Sequence, residues 1–212
     1  MLAPLSKGRA GEGSLRRMKS FLIILLIFSL HLPSFSQDQH KIDSLLACLK
    51  TAKHDTAKVE IFYQLAGVHC GNDTTRAIDY ASRCRALSEK IGYRKGVGKY
   101  YNMMGSIKWF QGNYIQALEF YKKFLSVSEE LIDQPGTATA YGNIGSAYIA
   151  IGNYPEGLKN NIAALKIREK IGDKGGIARS YLAVGIINHE QHNYPAAVKY
   201  LILIFLRVIF NN

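Results

Sequence analysis

Proline is scarce in this chain, five among 212 residues. That excludes a proline-rich fibre or an extended linker protein. Cysteine is scarcer still, with Cys48, Cys70 and Cys84 alone. Three thiols are too few for a disulfide framework and too scattered for a zinc module. Acidic residues are outnumbered, 16 against 27 Lys and Arg, for a formal net charge of +11. A glycine-rich phosphate loop, a Gly-x-Ser-x-Gly elbow and a His-Glu-x2-His pair are all missing, so catalysis is not expected. What remains is an ordinary globular balance, 48% hydrophobic and 20% charged, with enough chain to bury a sizeable core.

The N-terminus is read apart from the rest. Arg16, Arg17 and Lys19 precede a charge-free apolar run over 21–30, then Pro33 and the small residues Ser34 and Ser36. A basic start, a short apolar run and small residues two apart make a secretory signal peptide. The run is about half of what a transmembrane helix needs. Residues 1–36 are therefore expected to be a signal peptide cleaved after Ser36, which makes the protein exported, either periplasmic or secreted. No cysteine follows the run, so a lipoprotein anchor is not expected. Met18, directly before Lys19, is the more typical start. Five bases and one acid in this leader account for +4 of the charge, leaving +7.

The remainder repeats at a 40-residue step. Gly105, Gly145 and Gly185 coincide, as do Asn113, Asn153 and Asn193. So do Tyr114, Tyr154 and Tyr194, and Tyr101, Tyr141 and Tyr181. Ala77, Ala117, Gly157 and Ala197 form a small-residue column, and Pro155 matches Pro195. Such a period is the signature of a stacked repeat protein. Each unit reads as two helices. In the third, apolar residues at helical spacing run over 137–151 until Gly152-Asn153-Tyr154 breaks them. Asn153 followed by Glu156, and Asn113 by Gln116, are capping-box patterns. Pro155 suits a first turn, and Gly172 suits a C-cap near the end of the second helix. Asp173-Lys174-Gly175-Gly176 reads as the turn into the next unit. Gly145 and Gly157 let the two helices approach, and Tyr141, Ile144 and Tyr148 fill the wedge. One hairpin cannot bury its own apolar face, so neighbours must stack.

These columns resemble the tetratricopeptide repeat, whose pattern is aromatic-x2-Leu-Gly-x2-Tyr and then Ala-x3-aromatic. The third unit has Tyr141-x2-Ile144-Gly145-x2-Tyr148. The second has Tyr101-x2-Met104-Gly105-x2-Lys108 and then Ala117-x3-Tyr121. The fourth has Tyr181-x2-Val184-Gly185-x2-Asn188 and then Ala197-x3-Leu201. The first is weaker, with Phe62-x2-Leu65-Ala66 and Ala77, one residue shorter at the turn. The usual period is about 34 residues, and the longer step is similar to that of kinesin light chains. HEAT and armadillo repeats lack the Gly/Ala pairing. The resemblance implies an all-α fold, a right-handed α-solenoid of stacked antiparallel hairpins. The units are 57–96, 97–136, 137–176 and 177–212, the last incomplete or frame-shifted. Residues 37–56 form an N-terminal capping segment with a helix over 39–52.

In this family the first helix of each unit lines a concave groove that takes a protein or peptide. Carried over by column, that groove shows Glu60, Tyr63, Gln64, Lys99, Asn102, Ser106, Trp109, Thr139, Asn143, Ser146 and Arg179. Lys99, Asn102, Asn143 and Arg179 are donors of the kind that hold a carboxylate. The family's full carboxylate-gripping set is absent, since Met103 takes the second unit's usual Asn column. Trp109, the one tryptophan, is the anchor expected of such a groove, or else packing between repeats.

Other chemistries fare worse. His69-Cys70 and His189-x2-His192 have no third ligand at metal spacing, so no metal and no cofactor are expected. The cysteines read as small buried apolar side chains, Cys70 and Cys84 being too far apart across a hairpin to bridge. The residual charge is spread over helix faces, so nucleic acid is not an expected partner.

The C-terminus departs from the pattern. Lys166, Arg168, Glu169 and Lys170 of the third unit become Leu206, Val208, Ile209 and Phe210, while Ile167 becomes Arg207. This inversion of an amphipathic helix points to a reading frame shifted near 199–201 in a gene for a longer protein. Leader and repeats together resemble the extracytoplasmic sensor regions of bacterial membrane signalling proteins. There a histidine kinase, nucleotide cyclase or helix-turn-helix output follows. Two readings compete: an exported, non-catalytic scaffold, and a truncated sensor region whose only tie to a membrane is a missing C-terminal segment. A metal-dependent enzyme is a distant third.

Overall fold

The structure, a computed structural model, describes residues 39–210, with side chains described as far as 204. The expected leader and its start at Met1 or Met18 lie outside the described residues. The chain divides into two units, 1–47 and 48–212. Of the first, the described residues belong to helix α1, 39–51. The second contains α2 (Asp55–His69), α3 (Thr74–Lys90), α4 (Arg94–Phe110), α5 (Tyr114–Glu130), α6 (Gln134–Ala150), α7 (Tyr154–Ile171), α8 (Lys174–Glu190) and α9 (Tyr194–Phe210). It is an all-α repeat solenoid. Each helix packs on the next, and first helices also touch along the stack, α2 on α4 and α6 on α8.

Helices α3 and α5 to α8 begin where short polar side chains relieve unpaired amides, whereas α2 and α4 have no side-chain cap. Asp73, Asn113, Asp133, Asn153 and Asp173 each accept a hydrogen bond from the amide three residues on. The capping boxes are half made. The Asn153 amide donates to the Tyr148 carbonyl and the Asn113 amide to that of Lys108, so Glu156 and Gln116 have nothing to reach back for. Glu156 meets Lys159 instead. First helices start about three residues before the apolar periodicity does. The Asp173-Lys174-Gly175-Gly176 segment is not a turn but an N-cap and the first turn of α8, because the Asp173 carboxylate holds the Gly176 amide at 2.8 Å.

Within a hairpin the small-residue columns set the spacing. A Cβ on Gly145 would lie 3.1 Å from the Gly157 carbonyl oxygen, and one on Gly157 would lie 3.3 Å from that of Gly145. The core follows from this approach. Ala66, Ala77 and Ala81 pack with Met103, Met104 and Ile107 of the next unit, and Ala117, Leu118 and Tyr121 with Ile144 and Ala147.

Between hairpins a second column closes the stack. Ser88, Ser128 and Arg168 stand 40 residues apart, and all three are buried. They face Gly96, Gly136 and Gly176. A Cβ on those glycines would meet the Ser88 Cβ at 2.9 Å, the Ser128 Oγ at 2.8 Å and the Arg168 Cδ at 2.7 Å. Arg168 is thus not part of a solvated face, as the amphipathic comparison with the C-terminus took it to be. Its column is core in the first three units.

Turn geometry repeats too. Gly92 and Gly172 have φ near +70°, and between them Ile132 adopts φ 54°. Gly112 and Gly152 share the other turn column with His192, at φ 59°.

Two of the cysteines behave as small core residues. Cys70 and Cys84 are buried, and burial pushes both thiols up to about 11. All three are free, and Cys48 is exposed rather than buried. No helix among the described residues is long and apolar enough to cross a membrane.

Candidate functional site

The first helices bring their polar side chains into one connected row. On α2, Glu60 and Tyr63 stand three residues apart, on one face. Lys99 of α4 reaches both, with Nζ 2.9 Å from the Glu60 carboxylate and 4.6 Å above the Tyr63 ring. Burial pulls the Lys99 ammonium down, but the Glu60 hydrogen bond and charge, with Tyr63 beside it, outweigh this and hold it above the ordinary lysine value. One turn further along α4, Asn102 Nδ2 donates to the Tyr63 hydroxyl at 2.9 Å. Its Oδ1 accepts from Asn143 Nδ2 of α6 at 2.8 Å. Three units are linked by side chains along this face. Buried amides need such partners, since an unpaired one costs about 1–3 kcal/mol.

Two cavities flank the row. One, of about 250 Å³, is lined by Tyr63, Lys99, Asn102 and Thr139, which belong to the expected groove, and by Lys95, Phe124, Asp133, Pro135 and Gly136. Lys95 pairs with Asp133 at 3.1 Å, and Thr139 Oγ1 donates to the Pro135 carbonyl. The other, of about 220 Å³, is lined by Ser106, Trp109, Asn143 and Ser146 together with Phe110 and Tyr121. Trp109 is 37% exposed and Phe110 61%, the rings meeting edge to face at 5.4 Å. At the floor Tyr121 donates to Ser106 Oγ at 3.4 Å, and burial raises the Tyr121 phenol to about 12. Ser106 and Ser146 spend their protons on backbone carbonyls of their own helices. Their oxygens therefore offer acceptors beside aromatic faces.

Nine of the eleven groove residues join this row or its cavities. Gln64 is exposed and lines neither cavity. Arg179 lies at the start of α8, where it pairs with Asp173 at 3.7 Å. The four carboxylate-type donors are thus not gathered: Lys99 holds Glu60, the two asparagines hold each other, and Arg179 is elsewhere. Column reasoning missed Lys95, Asp133, Phe110 and Phe124. Asp133 had a signal, because it stands 40 residues before Asp173.

His189 and His192 are exposed, and His69 is buried, stacked on Tyr80 at 5.8 Å. Among the described residues no group of three or more His, Cys, Asp or Glu could hold a metal ion.

Stacked hairpins with a polar row along their first helices define a helical-repeat interaction scaffold. Residues 98–131 and 136–202 match models of the tetratricopeptide repeat. The chain is a tetratricopeptide repeat protein. Among solved structures it is similar to a Rap protein complexed with competence and sporulation factor. That match has a TM-score of 0.73 and 17% identity, over 82% of this chain and 50% of that one. It is also similar to aspartyl phosphate phosphatase F from Bacillus subtilis, with a TM-score of 0.66 and 15% identity, over 77% and 46%. A third is a signal transduction ATPase with numerous domains, with a tetratricopeptide repeat sensor, from Pyrococcus horikoshii. There the TM-score is 0.63 at 23% identity, over 75% of this chain and 25% of that one. The chain spans about half the length of the Rap proteins it matches. A search of curated proteins found no match.

Proposed function

We propose that the protein is an exported, non-catalytic scaffold that binds a protein or peptide along the first-helix face. The observation that carries this is the cavity beside Trp109. It sets two exposed aromatic rings against a wall of hydroxyl and amide oxygens, at the end of a side-chain row spanning three units. An apolar side chain would seat against Trp109 and Phe110, and backbone amides of the ligand would find Ser106, Asn143 and Ser146. The structural likeness to a Rap protein complexed with competence and sporulation factor supports a binding role for such a stack. Export rests on the leader read over 1–36.

Random peptides displayed on phage and selected on the purified chain test this reading. Enriched peptides are expected to change Trp109 fluorescence and to bind Trp109→Ala about 30-fold more weakly, as an aromatic anchor should. Failure to enrich any peptide, or equal binding to the variant, sinks it.

A second reading is a truncated sensor region of a membrane signalling protein, with the same face receiving the signal. The likeness to a signalling ATPase with a tetratricopeptide repeat sensor favours it. Reading the gene beyond codon 212 in all frames tests it. Further repeats, an apolar span and an output domain are the expected result, and a confirmed stop ends it.

A further inference from the structure

Exposed apolar side chains gather at the tip of the second hairpin, which has described hairpins on both sides of it. Phe110 is 61% exposed, Ile115 58% and, on the next tip, Ile151 39%. The repeat does not ask for them there. In steps of 40 residues Phe110 becomes Ala150 and then Glu190, and Ile115 becomes Pro155 and then Pro195. Ile151 stands between Gln111 and Gln191 in its own column. All of these positions are exposed. The three columns face solvent in the second, third and fourth units, so core packing selects nothing apolar at them.

The tip holds an open cavity of about 530 Å³, lined by Gln111, Gly112, Asn113, Tyr114, Ile115 and Ile151. It continues the cavity beside Trp109. Trp109 and Phe110 line that one, and the next five residues of the chain line this one. The Trp109 and Tyr114 rings meet edge to face at 6.1 Å. No Lys, Arg, Asp or Glu is among the described residues lining either cavity. The cavity at the other end of the row differs, for it is charged and its charges are spent. Its Lys95 already pairs with Asp133, and its Lys99 with Glu60. The surface left without a partner is therefore apolar and lies toward the tip, not toward Lys99.

We infer, on the basis of the peptide-binding reading above, that the ligand leaves the groove over the tip of the second hairpin. One bulky apolar side chain sits in the Trp109 cavity and a second against Ile115 and Ile151. The ring centres of Trp109 and Tyr114 lie 6.1 Å apart. Extended chain advances about 3.3 Å per residue, so the two anchors stand about two to four residues apart on the ligand. Both anchors are uncharged, because an ionised side chain would lose water there and find no opposite charge in either lining.

Affinities of the phage-selected peptides for variants of the full chain test this apart from the reading it rests on. Enriched peptides are expected to share two bulky uncharged side chains at that spacing. Ile115→Asp puts a charge into the tip cavity at a place where an acid suits the first turn of α5. It should weaken binding about 10-fold, while Ile132→Ser, at the other end of α5, leaves binding unchanged. Exchanging the peptide's second anchor for Ala should cost about the same factor against the native chain and little against Ile115→Asp. Should Ile115→Asp fail to fold, Ile151→Ser with the same two peptides reads the same coupling. Binding that Trp109→Ala weakens but Ile115→Asp and Ile151→Ser do not overturns this inference and leaves the peptide-binding reading standing. Losses at the anchor and at Ile115 that simply add overturn it in the same way. If no peptide enriches, both fall.

Discussion

The second and third junctions between units solve one packing problem in different ways. At the second, Ser128 lies over Gly136, and the turn before it forces Ile132 into a left-handed conformation with φ 54°. At the third, Gly172 takes the left-handed turn without cost, and the serine's place is taken by Arg168. The neutral junction carries its strain in the backbone, since a β-branched residue is poorly suited to positive φ. The charged junction carries its cost in solvation. Burial draws the Arg168 guanidinium below its ordinary range, with Arg179 adding to this and Asp173 opposing it. One guanidinium nitrogen donates to the Gly176 carbonyl at 3.1 Å and to Ser180 Oγ at 2.7 Å. Nε is buried with no hydrogen bond, 4.0 Å from the Asp173 carboxylate. The same 40-residue stack therefore accepts a strained backbone or a half-compensated charge at equivalent places.

The largest effect is expected from removing that charge. Arg168→Ala empties the junction and strands Ser180 and the Gly176 carbonyl, for a loss of about 3 kcal/mol in urea unfolding. Arg168→Met fills the space without a buried charge and should cost about 1 kcal/mol or less. If Met proves as damaging as Ala, the guanidinium hydrogen bonds outweigh their solvation cost.

Next comes a pair of caps. Asp133→Ala removes a cap and should cost about 1 kcal/mol. Asp173→Ala removes a cap and also the acid beside a buried guanidinium, so about 2 kcal/mol is expected. Equal losses would mean that Asp173 does nothing for Arg168.

The hairpins were legible from the sequence because the Gly, Ala and Tyr columns recur at the 40-residue step. The junctions were not. A single arginine on a helix reads as surface, and only its alignment with Ser88 and Ser128 marks it as core. First-helix starts were read late, because Gly175-Gly176 resembles a turn until Asp173 is seen to cap it. Of the candidate site, column position placed Lys99, Asn102 and Asn143 on one face. Spacing could not reveal that they satisfy one another, because that depends on side-chain rotamers across separate units.

A smaller effect probes the strained turn. Ile132→Gly should stabilise the chain by about 1 kcal/mol in thermal unfolding, because glycine accepts this φ freely. The gain should vanish if Ile132 is held by contacts that its 82% exposure does not disclose.

The last test reads a pH dependence and belongs to the first junction, where Ser88 donates to the Cys84 carbonyl at 2.6 Å and the Cys84 thiol lies 3.8 Å from the Gly96 carbonyl. The Cys84 thiol is raised from 9.0 to about 11 by burial. In the unfolded chain it ionises first, so the folded state binds more protons and stability falls as pH rises across that interval. Below 9 this contribution is fully present. Cys84→Ala should flatten the decline measured by urea midpoints from pH 8 to pH 11, and an unchanged slope would assign it elsewhere, with Cys70 the first candidate.

The side-chain amide of Asn102 gives the middle unit a particular leverage. It donates to the first unit and accepts from the third, so whatever claims either end of that amide releases a neighbour. In the proposed binding role, a guest that took the Nδ2 end would free Tyr63, and one that took the Oδ1 end would free Asn143. The row of polar side chains thus turns on a single residue, through which the first and third units are joined.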